Sequence, residues 1–174
     1  RPPRSTLFPY TTLFRSHMRI DRNIKEKGHD PYGEPRKHTE GSYCPDCRAV
    51  YQGGRWVWSD RPVRSGTPLL CSACRRIRDD FPAGEIYLSG DYLVKHRGEI
   101  VNLITKLVMD ARGRSPLKRM MDIREKDRRL CVRLTDDHLA RQIGDAVYRA
   151  YKGDLQLKYS EEEKFVRLYW HRDE

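Results

Sequence analysis

Two Cys-x-x-Cys pairs constrain this chain more than any other feature. Cys44-Pro45-Asp46-Cys47 and Cys71-Ser72-Ala73-Cys74 have 23 residues between Cys47 and Cys71. Together they offer four soft thiolates, the donor set that Zn²⁺ takes in tetrahedral geometry at about 2.3 Å per bond. Four sulfurs leave no open position for water or substrate, so the spacing predicts one structural Zn²⁺ on Cys44, Cys47, Cys71 and Cys74. Thioredoxin-like redox chemistry would need one pair beside a βαβ pattern, and a pair of disulfides would need a secreted context that no segment indicates. Cys131, inside Leu130-Cys131-Val132-Arg133-Leu134, reads as a small strand residue and not as a fifth ligand.

The N-terminus is set aside before the charge is weighed. Thr6 to Ser16, TLFPYTTLFRS, looks like the in-frame translation of a sequencing adaptor, so residues 1–17 read as non-native and the biology is expected to begin at Met18. Removing Arg1, Arg4 and Arg15 lowers the formal charge from +10 to +7, still basic and still suited to polyanionic partners. The remaining 157 residues suffice for one ordinary domain or two small ones. No apolar run approaches the roughly 20 residues that span a bilayer. Free thiols in metal spacing with no secretory h-region point to a reducing compartment, the cytoplasm. Residues 18–42 are basic and poor in apolar groups, and read as a flexible arm whose His29 and His38 are solvated or touch phosphate.

Residues 43–88 form the expected four-cysteine zinc module. Ala49 to Gln52 and Arg55 to Trp58 flank Gly53-Gly54, a hairpin signature, and the second cysteine pair opens a helix-compatible run from Cys71 to Asp80. A knuckle, a hairpin and a ligand pair at a helix start predict a zinc-ribbon or treble-clef module. Arg48, Arg55, Arg61, Arg64, Arg75, Arg76 and Arg78 surround it without a single lysine, which suits bidentate recognition of phosphate or guanine. Two or three of them are also explained as offsets to the −2 charge of four thiolates and one Zn²⁺. Trp56 and Trp58 share one face of the hairpin, either as core of a small module or as stacking surfaces for a base.

Residues 89–174 follow a regular grammar. Ile100, Leu103, Ile104, Leu107 and Val108 make one apolar helix stripe, with Gly113 as the stop. Strands are expected near Leu117 to Arg124 and across Leu130 to Leu134. Thr135 would cap a second helix with Leu139, Ile143 and Val147 inward, and strands follow at Leu155 to Tyr159 and Phe165 to Trp170. The fold class is therefore α+β: the four-cysteine module, then an αββαββ unit equivalent to a ferredoxin-like fold with its first strand moved to the end. Two helices would cover one face of a four-stranded antiparallel sheet. The other face would present Arg133, Gln156, Lys158, Phe165, Arg167 and Tyr169, either to RNA or against the zinc module.

The stretches CPDCRAVYQGGRWVW, CSACRRIRDDFPAGEIYLSGDYL and TDDHLARQIGDAVYRAYKGDL are similar to those of bacterial zinc proteins related to the N-terminal region of the nonsense-mediated-decay-three family. In eukaryotes that family is an adaptor for export and late maturation of the large ribosomal subunit. The resemblance implies association with rRNA or a ribosomal subunit in assembly, quality control or dormancy, with the four cysteines as zinc ligands. The eukaryotic adaptors carry more Cys-x-x-Cys pairs, and nuclear export does not transfer to a bacterium. The expected function is a zinc-containing RNA-binding protein, with contacts from the arginines above, Trp56, Trp58, Lys158 and Arg167. A zinc-containing DNA-binding regulator or a protein-binding adaptor is the alternative. No nucleotide-binding loop, nucleophile elbow or helical His pair is present, so no enzyme, small-molecule substrate or membrane role is expected.

Overall fold

The computed structural model describes residues 30–33, 37–60, 66–160 and 164–174. Residues 1–29, including the adaptor-like segment and most of the basic arm, lie outside them, as do Arg61 and Arg64. The described chain is α+β, with ten elements.

In the four-cysteine module, β1 (Val50–Gln52) and β2 (Arg55–Val57) pair antiparallel around Gly53 and Gly54, whose φ of 61° and 77° is the left-handed geometry that a tight two-residue hairpin loop requires. Tyr51 stands directly opposite Trp56 and packs edge-on against it at 5.6 Å. Helix α1 (Ser72–Arg78) starts at Cys71, whose Sγ accepts from the Cys74 N–H at 3.4 Å. Segments expected to belong to a mobile arm are docked here. Tyr32 stacks on Phe81, Asp30 pairs with Arg76 at 2.5 Å, and the Glu40 carboxylate accepts from the N–H groups of Gly53 and Gly54. His38 lies against the rings of Tyr51 and Trp56 rather than in solvent.

Beyond the module come β3 (Gly84–Ser89), α2 (Asp91–Arg114), β4 (Met120–Lys126), β5 (Arg129–Leu134), α3 (Asp137–Tyr151), β6 (Asp154–Tyr159) and β7 (Val166–His171). They form one five-stranded sheet of order β4-β5-β3-β7-β6, in which β3 and β7 run parallel and every other neighbouring pair is antiparallel. This corrects the expected four-stranded antiparallel sheet. The missing strand, β3, is central and stands at the start of the unit, so the order is βαββαββ and not the expected αββαββ. Its sequence, Gly84-Glu85-Ile86-Tyr87-Leu88-Ser89, alternates buried Ile86 and Leu88 with half-buried neighbours. That period of two is an ordinary strand signal.

Both helices cover one face. Ile86, Leu88, Val132, Leu134, Leu168 and Trp170 from the sheet meet Leu93, Ile100, Ile104 and Val108 of α2 and Leu139, Ile143 and Val147 of α3. Helix α3 lies close to β7 because Gly144 has no side chain: a Cβ there would stand 2.3 Å from Leu168 Cδ2. The cap of α3 is Asp136, whose Oδ1 accepts from Leu139 N–H at 2.7 Å, and not Thr135. Helix α2 runs through Gly113 and stops at Ser115, before Pro116, with non-helical backbone at His96. Among the described residues no helix is long and apolar enough to cross a membrane.

The two parts are joined by side chains. Trp58 Nε1 donates to the Arg112 carbonyl at the end of α2, Leu117 packs against the module core, and Asp80 accepts from Arg133 Nη2 at 2.6 Å. The boundary drawn at residue 88 therefore runs through β3, a strand of the sheet itself.

Candidate functional site

The knuckle that carries Cys44 and Cys47 is closed by the Arg48 N–H on the Cys44 carbonyl at 2.9 Å, with Arg48 at φ 67°. The hairpin that follows and the bridge from Tyr43 to Pro68 bring the chain back, so that Cys71 and Cys74 face the first pair from the start of α1. The four Sγ atoms lie within 4.8 Å of one another, with Cys47 and Cys71 at 3.8 Å. A tetrahedron with bonds of about 2.3 Å has edges of about 3.8 Å. Cys44, Cys71 and Cys74 are buried, and Cys47 is half-buried. The spacing and donor set fit one structural metal ion.

The electrostatics of the cluster argue the same way. The hydrogen bond with Cys71 pulls the Cys47 thiol down to about 5, and the same bond, with burial, pushes Cys71 up. Burial lifts Cys74 to about 11 despite a hydrogen bond from Arg119. Four sulfurs this close cannot all ionise without a cation among them, and a bound metal ion would supply that charge.

Arg119 is the residue that sequence reasoning missed. It is 9 % exposed, and its Nη2 lies 3.1 Å from Cys74 Sγ and 3.4 Å from Cys71 Sγ. Its backbone N–H donates to Thr135 Oγ1 at 2.9 Å, and that hydroxyl donates to the Leu117 carbonyl at 2.7 Å. Thr135 thus fixes the turn that aims Arg119 at the cluster. No local signal announces this, because Arg119 lies 45 residues from Cys74 and precedes β4 by a single position.

The arginines of the module have different settings. Arg76 is 3 % exposed and pairs with Asp30, its guanidinium 4.5 Å from the Tyr32 ring centre. Arg75 donates to the Tyr32 carbonyl at 3.1 Å, and Arg78 pairs with Asp46 at 3.0 Å. Arg48 and Arg55 are exposed. Trp56 is 4 % exposed and belongs to the module core, while Trp58 is half-buried under Arg112. Trp56 and Arg76 therefore have no surface to offer a nucleic acid in this fold.

A second surface gathers on the sheet face that the helices leave uncovered. Cross-strand register places Asp122, Arg133, Glu85, Arg167 and Lys158 in one row, and Arg124, Cys131, Tyr87, Tyr169 and Gln156 in the next. Tyr87 and Tyr169 stack at 5.2 Å with planes 11° apart, Lys158 Nζ lies 5.3 Å from the Tyr169 ring centre, and the Arg167 guanidinium lies 4.5 Å from that of Phe165. Tyr169 is 36 % exposed, and Gln156, Lys158 and Arg167 are exposed. At the β4–β5 end Arg133 is buried beneath Asp80 and held bidentate by Asp122 at 2.8 and 2.5 Å. The four-cysteine module thus meets that end of the face through Asp80. Comparison of the chain with protein-family models, with curated proteins and with solved structures returned no match.

Proposed function

We propose that this is a zinc-stabilised RNA-binding protein whose contact surface is the uncovered face of the five-stranded sheet. The observation that carries the reading is the coincidence, on one exposed face, of stacked Tyr87 and Tyr169 with Lys158 and Arg167 beside aromatic rings. Sheets that bind single-stranded RNA use aromatic rings for base stacking and cations for phosphate, and a base stack is worth about 1–3 kcal/mol. The four thiolates hold Zn²⁺ in a structural role, because four sulfur ligands of this softness and spacing suit it and leave no reactive position. Exposed Arg48 and Arg55 extend the basic surface onto the module.

The partner proposed is ribosomal RNA, which the resemblance of the cysteine-rich segments implies. Binding of the full chain to fluorescent single-stranded and duplex RNA, measured across a salt series, tests the reading, with co-sedimentation on ribosomal subunits as the partner assay. Preference for single strands and a steep fall of affinity with salt are expected. Equal or tighter binding to duplex DNA would count against it.

A further inference from the structure

At the module end of β3 and β7, next to the sheet face, a cleft of about 210 Å³ is lined by Phe81, Pro82, Glu85, Ser160, Phe165 and Arg167. Its volume is below the range of about 300–1,000 Å³ typical of sites for drug-sized ligands. It suits a single planar ring better than a whole cofactor. Two phenyl rings give it apolar walls. Glu85 and Arg167, neighbours across the parallel strand pair, put a carboxylate and a guanidinium side by side, Arg167 Nε lying 3.4 Å from Glu85 Oε2.

From this geometry we infer that the cleft takes one guanine base of a bound RNA strand; the inference rests on the RNA reading above and names the base that the surface prefers. A carboxylate is an acceptor only and a guanidinium a donor only. Side by side they present acceptors next to a donor. The Watson–Crick edge of guanine carries two adjacent N–H donors, N1 and N2, beside the O6 acceptor, and so complements them. Uracil has one donor between two acceptors, while adenine and cytosine place a bare ring nitrogen beside their amino group, where the carboxylate would repel it. The Glu85 carboxylate retains acceptor capacity: the Tyr87 hydroxyl at 2.8 Å and Arg167 Nε both reach Oε2, out of about four lone-pair sites on the group. Because Glu85 and Tyr87 are successive outward residues of β3, a base in the cleft continues directly into the stacking row of Tyr87 and Tyr169.

The test uses the full, metal-loaded chain and oligouridine decamers with one central guanosine, inosine, adenosine or cytidine, followed by fluorescence anisotropy. A guanosine should tighten binding about tenfold over plain oligouridine, as expected for one good bidentate base contact. Inosine, which lacks the N2 amino group, should recover only part of the gain. Glu85→Gln should bring the four oligomers within about twofold of one another, with metal content unchanged. GMP should displace the guanosine oligomer only at far higher concentration than the oligomer itself needs. Equal affinity for all oligomers, with RNA still bound, overturns the guanine assignment and leaves the RNA reading standing. A preference that survives Glu85→Gln, or GMP binding as tight as the oligomer's, overturns it as well. Failure to bind any RNA overturns both.

Discussion

Replacing Arg119 by Met separates what the metal centre gains from its surroundings from what the fold gains. The guanidinium is 9 % exposed and approaches Cys74 and Cys71 at 3.1 and 3.4 Å. With metal bound, four thiolates and a divalent ion sum to −2, and Arg119 offsets half of that inside a buried site. A hydrogen bond from a charged donor contributes about 1.5–3 kcal/mol. Outer partners of metal ligands account for about 10- to 100-fold in metal affinity, which is about 1.4–2.8 kcal/mol and agrees with the first figure. Arg119→Met should therefore weaken zinc binding by about 10- to 100-fold in competition with a chromophoric chelator at pH 7. Without metal the sign differs. The buried guanidinium then faces partly protonated thiols, and its Nε has no hydrogen-bond partner among the described residues. Met fills similar space with no charge to desolvate, so the metal-free variant should unfold in urea at the same or a higher midpoint than the metal-free parent. Unchanged zinc affinity, or equal destabilisation with and without metal, would refute the assignment.

Cys44→Ser should abolish stoichiometric zinc, and chelation should speed hydrogen exchange from Tyr43 to Asp80 and also at Arg112–Arg119, because Trp58 and Arg119 tie that connection to the module. Gly144→Ala should destabilise the chain by about 1–3 kcal/mol, read as a fall in Tm, since Leu168 would have to move from the new methyl group. Arg133 holds the carboxyl of Asp122 below its ordinary value, chiefly by hydrogen bonding. The associated stability is present above the unfolded carboxylate pKa of about 4 and is lost as pH falls through the lower folded value. Acid titration of Arg133→Met should lack that part of the transition. Joint replacement of Lys158 and Arg167 by Ala should lower the slope of log K against log salt for oligouridine, where no guanine engages Arg167, by about 1.4, with zinc content unchanged.

The metal centre was legible because four cysteines in two short pairs leave few chemical alternatives. The two long helices and four of the sheet's strands were legible through periodicity, as the buried Ile100-Ile104-Val108 stripe and the Leu130-Val132-Leu134 alternation illustrate. Strand β3 carried the same alternation, yet it falls between Pro82 and Gly90, where it reads as the tail of the cysteine module. Its loss turned a sheet with a central parallel pair into an antiparallel one and hid Tyr87. Arg119, Asp30 and Tyr32 act through contacts more than 40 residues away in sequence, which no local pattern encodes. The same distance in sequence hid how the arginines of the module differ. Arg76 and Arg78 looked alike in sequence, but Asp30 buries the first and Asp46 pairs with the second.

Photo-crosslinking of the metal-loaded chain to single-stranded RNA containing 4-thiouridine, followed by peptide mass spectrometry, tests the central claim most directly. Crosslinks should map to Tyr87 on β3, to Tyr169 on β7 and to the neighbouring Phe165 and Lys158. Crosslinks confined to residues 1–78, or none above those given by a metal-loaded control protein of similar charge, would contradict the account.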